Sequence, residues 1–157
     1  MSALPPDQTD PETAALLAAY HATTYTVEAG GYRIGVRLGE KSAALDALLT
    51  RLGAAGGVFI TAHNPQSRPL EEAANRKAAE SLRAEVAALG LRALPHRGIG
   101  DGADWVEEGL FVLDLPLGTA IPLAECYGQN AVVAITRGGT ACLLPTRWMD
   151  RRENPRE

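Results

Sequence analysis

Residues 57–89 read GVFITAHNPQSRPLEEAANRKAAESLRAEVAAL, and this stretch decides the fold class. A short apolar run, residues 58–62, is followed by the polar segment His63-Asn64-Pro65-Gln66-Ser67-Arg68-Pro69 and then by a long helical pattern. Five apolar residues bounded by glycine on one side and a polar loop on the other are too few for a buried helix and suit a buried strand. The helix is expected to begin near Glu71, where Glu71 and Glu72 meet the positive end of its dipole. Leu82, Val86 and Leu89 mark its buried face by spacings of four and three, and Gly90 ends it. Counting back seven from Leu82 puts Asn75 on that same face. A buried amide there must find partners, because an unsatisfied one costs ~1–3 kcal/mol, and the loop 63–68 is the nearest source.

On the N-terminal side, residues 11–20 form a short helix with Asp10 as cap and Pro11 at its first position. Residues 23–28 and 32–38 are two strands joined by Gly30-Gly31. The second alternates, with Tyr32, Ile34, Val36 and Leu38 on one side and Arg33 and Arg37 on the other. Residues 42–52 form a helix striped by Leu45, Leu48, Leu49 and Leu52. A buried strand flanked by helices suggests a β-α-β crossover, with the central strand parallel to an earlier one.

On the C-terminal side, residues 91–95 read as a strand ended by Pro95, and residues 96–104 as a glycine-containing loop. Residues 105–115 are the longest strand pattern. If unbroken, it sets Trp105, Glu107 and Phe111 on one face and Val106, Glu108 and Leu110 on the other. A bulge at Gly109 would shift that register. Residues 121–127 form a short helix stopped by Gly128-Gln129-Asn130, and residues 131–136 and 140–145 close the chain as a hairpin. The expected architecture is an α/β (α+β) sandwich: one mixed sheet of about six or seven strands with three or four helices and hairpins near both ends.

The chain has 157 residues, enough for one domain with a real core. The expected organisation is a flexible tail at 1–11, a single domain at 12–146 and a charged tail at 147–157. A net charge of -4 from 15 basic and 19 acidic residues gives no drive towards nucleic acid. No apolar run approaches the ~18–20 residues needed to span a bilayer. No secretory leader is visible, so a soluble cytoplasmic protein is expected. Cys126 and Cys142 are read as reduced core residues. The three histidines and two cysteines lack metal-ligand spacing, so no metal is expected. P-loop, dinucleotide and nucleophile-elbow fingerprints are absent, and no cofactor is indicated.

Three polar clusters stand at junctions between elements. Asn64 and Ser67, with Arg68 and the first helix amides, are placed to cradle a phosphate or carboxylate. Equally, Asn64 and Ser67 serve to hydrogen-bond the backbone and fix the turn. Arg97, Gly98 and Trp105 form a second group with Glu107 and Glu108. Either glutamate is a candidate general base, and the Gly109 register decides which one faces a pocket. Gln129 and Asn130 form the third group, suited to reading an amide edge or to making a turn.

Several of these pieces together resemble one bacterial family catalogued only as a domain of unknown function, number 3293. They are Phe59-Ile60-Thr61-Ala62-x-Asn64-Pro65-x-Ser67, Asn75, Gly98, Trp105-x-Glu107-Glu108 and Gly128-Gln129-Asn130-Ala131-Val132. The resemblance spans roughly residues 20–144, implies a small α/β protein and brings no substrate or reaction. Members usually carry an aromatic residue where this chain has His63, which argues against His63 as an indispensable base.

The leading expectation is a small-molecule site of the nucleotide or phosphometabolite type. Asn64, Ser67, Arg68, Asn75, Arg97, Trp105, Gln129 and Asn130 would bind the ligand. Glu107 or Glu108 would act as general base if the protein is a hydrolase or transferase. The rival is a noncatalytic sensor or protein-interaction module. The sequence leaves catalysis and homo-oligomerisation open.

Overall fold

The run read as a buried strand becomes β3 (Gly56–Thr61), with every residue from Gly56 to Ile60 buried. The structure, a computed structural model, describes residues 10–149 except 104. The expected tails therefore lie largely outside the described residues. In chain order the elements are α1 (Pro11–His21), β1 (Thr24–Ala29), β2 (Tyr32–Val36), α2 (Ala43–Leu52) and β3. There follow α3 (Glu72–Ala88), β4 (Ala93–Ile99), β5 (Val106–Leu113), α4 (Leu117–Cys126), β6 (Ala131–Thr136) and β7 (Cys142–Pro145).

The strands form one sheet in the order β2-β1-β4-β5-β3-β6-β7. Every ladder is antiparallel, which corrects the expected mixed sheet. β2 and β3 do run in the same direction, as a helical crossover demands, but β1, β4 and β5 lie between them. A crossover sets the direction of the returning strand and leaves its neighbour open, and hairpin strands fill the gaps. The sheet curls until its edges meet, where Leu38 bridges Ala141 in parallel and the Gly39 N–H donates to the Ala141 carbonyl at 2.9 Å.

Alternation along the strands builds two cores. Tyr25, Val27, Phe59, Phe111 and Leu113 fill the inner face with Leu45, Leu48 and Leu49 of α2. Val58, Ile60, Leu110 and Val112 cover the outer face with Leu82 and Val86 of α3 and Ala120 and Ala124 of α4. Each such leucine or valine contributes ~1.5–3 kcal/mol by leaving water. Ser42 accepts from the Leu45 N–H at 3.1 Å to start α2, and Gly53 ends it at φ 67°. Among the described residues no helix is long and apolar enough to cross a membrane.

Two local expectations change. Residues 96–99 continue β4 rather than forming a loop. Pro95 is tolerated because the β1 ladder reaches only to His96, so Pro95 has no β1 partner to receive an N–H. Both cysteines are free but exposed rather than core. Cys126 is the last residue of α4, and Cys142 opens β7 at the sheet edge.

Candidate functional site

β4 and β5 set the site by register. Gly98 stands opposite Glu107 and Gly109 opposite His96, so each titratable side chain on the inner face looks across at a glycine. The β4–β5 ladder runs without a break from Val106 to Val112. Gly109 is therefore no bulge, and the sequence alternation holds through it. Glu107 faces inward, while Glu108 lies outward beside Arg97, at 3.6 Å. Gly109 is needed for closeness: a Cβ there would sit 2.4 Å from the Ile60 carbonyl oxygen and 3.2 Å from His96 Cδ2.

Glu107 Oε1 accepts from the Trp105 indole N–H at 2.8 Å and from Asn64 Nδ2 at 3.5 Å. Burial outweighs these two donors and pushes its carboxyl up to about 7. Asn64 is itself locked. Its backbone N–H donates to Asn75 Oδ1 at 2.9 Å. Its Oδ1 accepts from Asn75 Nδ2 at 2.8 Å and from the Leu70 N–H at 3.0 Å. The partner expected for Asn75 is thus Asn64, and the pair ties the start of α3 to the end of β3.

His96 is buried among Tyr25 and Phe59, with ring centroids 6.0 and 4.8 Å away. Its Nδ1 lies 2.9 Å from the Thr26 carbonyl oxygen. A carbonyl only accepts, so Nδ1 carries the proton and Nε2 keeps its lone pair. Burial lowers this imidazole to about 4 and keeps it neutral. The sequence reading missed His96, because ending the strand at Pro95 hid the alternation Leu94, His96, Gly98.

The loop after β3 is strained. Asn64, Gln66 and Ser67 take φ of 47°, 55° and 60°, a region that costs non-glycine residues ~1–3 kcal/mol each and recurs at functional sites. Contacts from the segment after α4 hold it. The Gln66 N–H donates to the Gly128 carbonyl at 2.7 Å. Gln129 Nε2 donates to the His63 carbonyl at 2.9 Å, and Asn130 Nδ2 donates to Ser67 Oγ at 3.2 Å. Asn130 is buried, and its Oδ1 has no hydrogen-bond partner among the described residues.

These parts surround a cavity of about 450 Å³ on the inner face, within the range of small-molecule sites. Glu107, His96, Trp105, Ser67 and Gln129 line it, Phe59 and Tyr25 add apolar wall, and Leu16, Ala19 and Tyr20 of α1 cover it. Of the residues named from sequence, Glu107, Trp105, Ser67 and Gln129 meet here. Asn64, Asn75 and Asn130 stand behind the wall as supports. Arg68 is exposed; like Arg97 and Glu108 it does not line this cavity. A second, polar hollow outside, between α3 and the start of β5, is lined by His63, Asn64 and Glu108. Among the described residues no group of three or more histidine, cysteine, aspartate or glutamate side chains is placed to hold a metal ion.

No curated protein and no solved structure matches the chain. A family model described as "Protein of unknown function (DUF3293)" matches residues 60–132, a span running from β3 through the loop, α3, β4, β5 and α4 to the start of β6. That span, just under half of the chain, holds Ser67, His96, Trp105, Glu107 and Gln129, and over it the chain is similar to the DUF3293 family.

Proposed function

We propose that this protein binds a small molecule in the inner cavity, with Glu107 as the acid–base group of the site. The observation that carries this is the placement of Glu107. It is a carboxyl in an apolar wall, held through one oxygen by Trp105 and Asn64 and raised to about 7. A group poised there gives or takes a proton near neutral pH, as general acid–base catalysis requires. Hydrolysis or group transfer is the reaction class this supports best.

The lining favours a neutral or cationic ligand over the phosphometabolite expected from sequence. Among the described residues its charged side chains are Asp101 and Glu107, and no lysine or arginine lines it. Asp101 is already paired with Arg37 at 3.4 Å, so a phosphate there would meet the Glu107 carboxyl with no guanidinium in the described lining to receive it.

A thermal-shift screen of neutral, cationic and anionic metabolites, run on wild type and Glu107→Gln, tests the reading. A ligand at 100 times its dissociation constant adds ~2.7 kcal/mol, a shift of a few degrees. A hit lost in Glu107→Gln, with the variant still folded, supports the reading. No hit across the panel, or hits indifferent to Glu107→Gln, overturns it.

A further inference from the structure

We infer that the cavity is a site for hydrogen-bond donors. It takes a small, flat nitrogenous ligand, of the amidine or amino-heterocycle kind, whose N–H groups donate to His96 Nε2 and to the second oxygen of Glu107. This rests on the cavity being a small-molecule site and names the chemistry of what fills it.

Nδ1 of His96 is committed to the Thr26 carbonyl, so Nε2 is an acceptor. Nε2 lies on the cavity side, since a Cβ on Gly98, itself in the lining, would stand 3.9 Å from it. Both donors that reach Glu107 go to Oε1, which leaves Oε2 as an acceptor for a ligand when the carboxyl is ionised. Gln129 gives its Nε2 to the carbonyls of His63 and Tyr127, leaving its amide oxygen. Three hydroxyls of the lining also spend their protons on backbone carbonyls: Thr23 on Ala19, Tyr25 on Tyr20 and Thr61 on Glu108. The polar wall therefore offers mostly lone pairs, and a ligand built of acceptors would leave them unpaired. Aromatic faces at Tyr25, Phe59 and Trp105 suit a planar, electron-poor ring or cation.

The test is titration calorimetry of the full chain with benzamidine and 2-aminobenzimidazole, against benzoate and methyl benzoate as probes of similar size without N–H donors. The two N–H probes are expected to bind at least tenfold tighter, and Glu107→Gln and His96→Gln each to weaken them at least tenfold. Because His96→Gln disturbs a buried cluster, imidazole 15N NMR on wild type provides an independent readout. An unprotonated Nε2 whose resonance moves on adding benzamidine is expected. Benzoate or methyl benzoate binding as tightly as the N–H probes overturns the inference while leaving a small-molecule cavity. So does an N–H probe that binds without moving the His96 signal. Silence from all four probes also overturns it, and the broad metabolite screen then decides whether the cavity binds anything.

Discussion

Glu107 and Glu108 are adjacent in the chain and lie on opposite faces of β5. Glu107 Oε1 is held by the Trp105 indole at 2.8 Å, whereas Glu108 reaches Arg97 at 3.6 Å with most of its side chain in water. Period-two alternation turns one step along the sequence into two environments. An exposed pair such as Arg97–Glu108 contributes ~0–1 kcal/mol. Glu108→Gln is therefore expected to shift urea-denaturation stability by less than ~0.5 kcal/mol and to leave ligand binding unchanged. A large loss of binding in that variant would place the chemistry on the wrong face.

His96 and Glu107, two titratable groups of the cavity, pull stability in opposite directions with pH. His96, lowered to about 4 from 6.5, stays neutral in the native state while the unfolded chain takes a proton. Its contribution is present above 6.5 and is lost as pH falls towards 4. Glu107, raised to about 7 from 4.5, holds its proton longer when folded. Its contribution is present below 4.5 and lost as pH rises through 7. Each swing is worth about 3 kcal/mol at most, so the slopes largely cancel between pH 4.5 and 6.5. Glu107→Gln removes one of them. The stability of that variant relative to wild type is expected to climb by up to ~3 kcal/mol between pH 4.5 and 7.5. A difference that does not vary with pH would mean Glu107 titrates normally.

Where the sequence pattern was local, it was legible. The strand 58–62, the helix after it and the buried place of Asn75 follow from periods of 2 and 3.6, and the structure keeps them, whereas the face of Glu107 waited on the unbroken register at Gly109. Strand pairing was not legible, because direction follows from the crossover while neighbours follow from the whole sheet. Pro95 hid the second half of β4, since only the short β1 ladder explains why a proline sits inside a strand. With it went His96, which a continued alternation from Leu94 would have pointed inward. Asn64 and Asn75 are legible both as ligand contacts and as groups that fix the loop, and in the structure Asn75 bonds the Asn64 backbone N–H and side-chain oxygen. A side chain's polarity shows that it needs a partner, not which one.

That mutual pairing is open to test. Asn75→Leu would take both side-chain bonds from Asn64, leaving its backbone N–H unpaired and its Oδ1 with the Leu70 N–H as partner. The expected cost is ~2–4 kcal/mol in chemical denaturation. Freed from Asn75, the Asn64 amide also loses its aim at Glu107, a contact that lowers the glutamate's titration. Carboxyl 13C NMR should therefore find Glu107 titrating higher in this variant. A variant as stable as wild type would show that the pair is dispensable.

Three glycines separate folding from binding. At Gly57 a Cβ would lie 2.3 Å from Phe111 Cζ, on a ring with no exposed surface, and at Gly109 it would meet the Ile60 carbonyl at 2.4 Å. Neither neighbour is the far end of a flexible side chain, so alanine at either position is expected to cost ~1–3 kcal/mol or more. Gly98 differs. Its Cβ would meet Thr23 Cγ2 at 3.5 Å and His96 Nε2 at 3.9 Å, ordinary contacts. Gly98→Ala should therefore fold with less than ~1 kcal/mol change. It should nonetheless place a methyl group in the cavity beside Nε2, directly across from Glu107. Loss of ligand binding in a stable Gly98→Ala protein, against loss of stability in Gly57→Ala and Gly109→Ala, would locate function in the open side of this ladder. Full binding by Gly98→Ala would mean the ligand sits elsewhere.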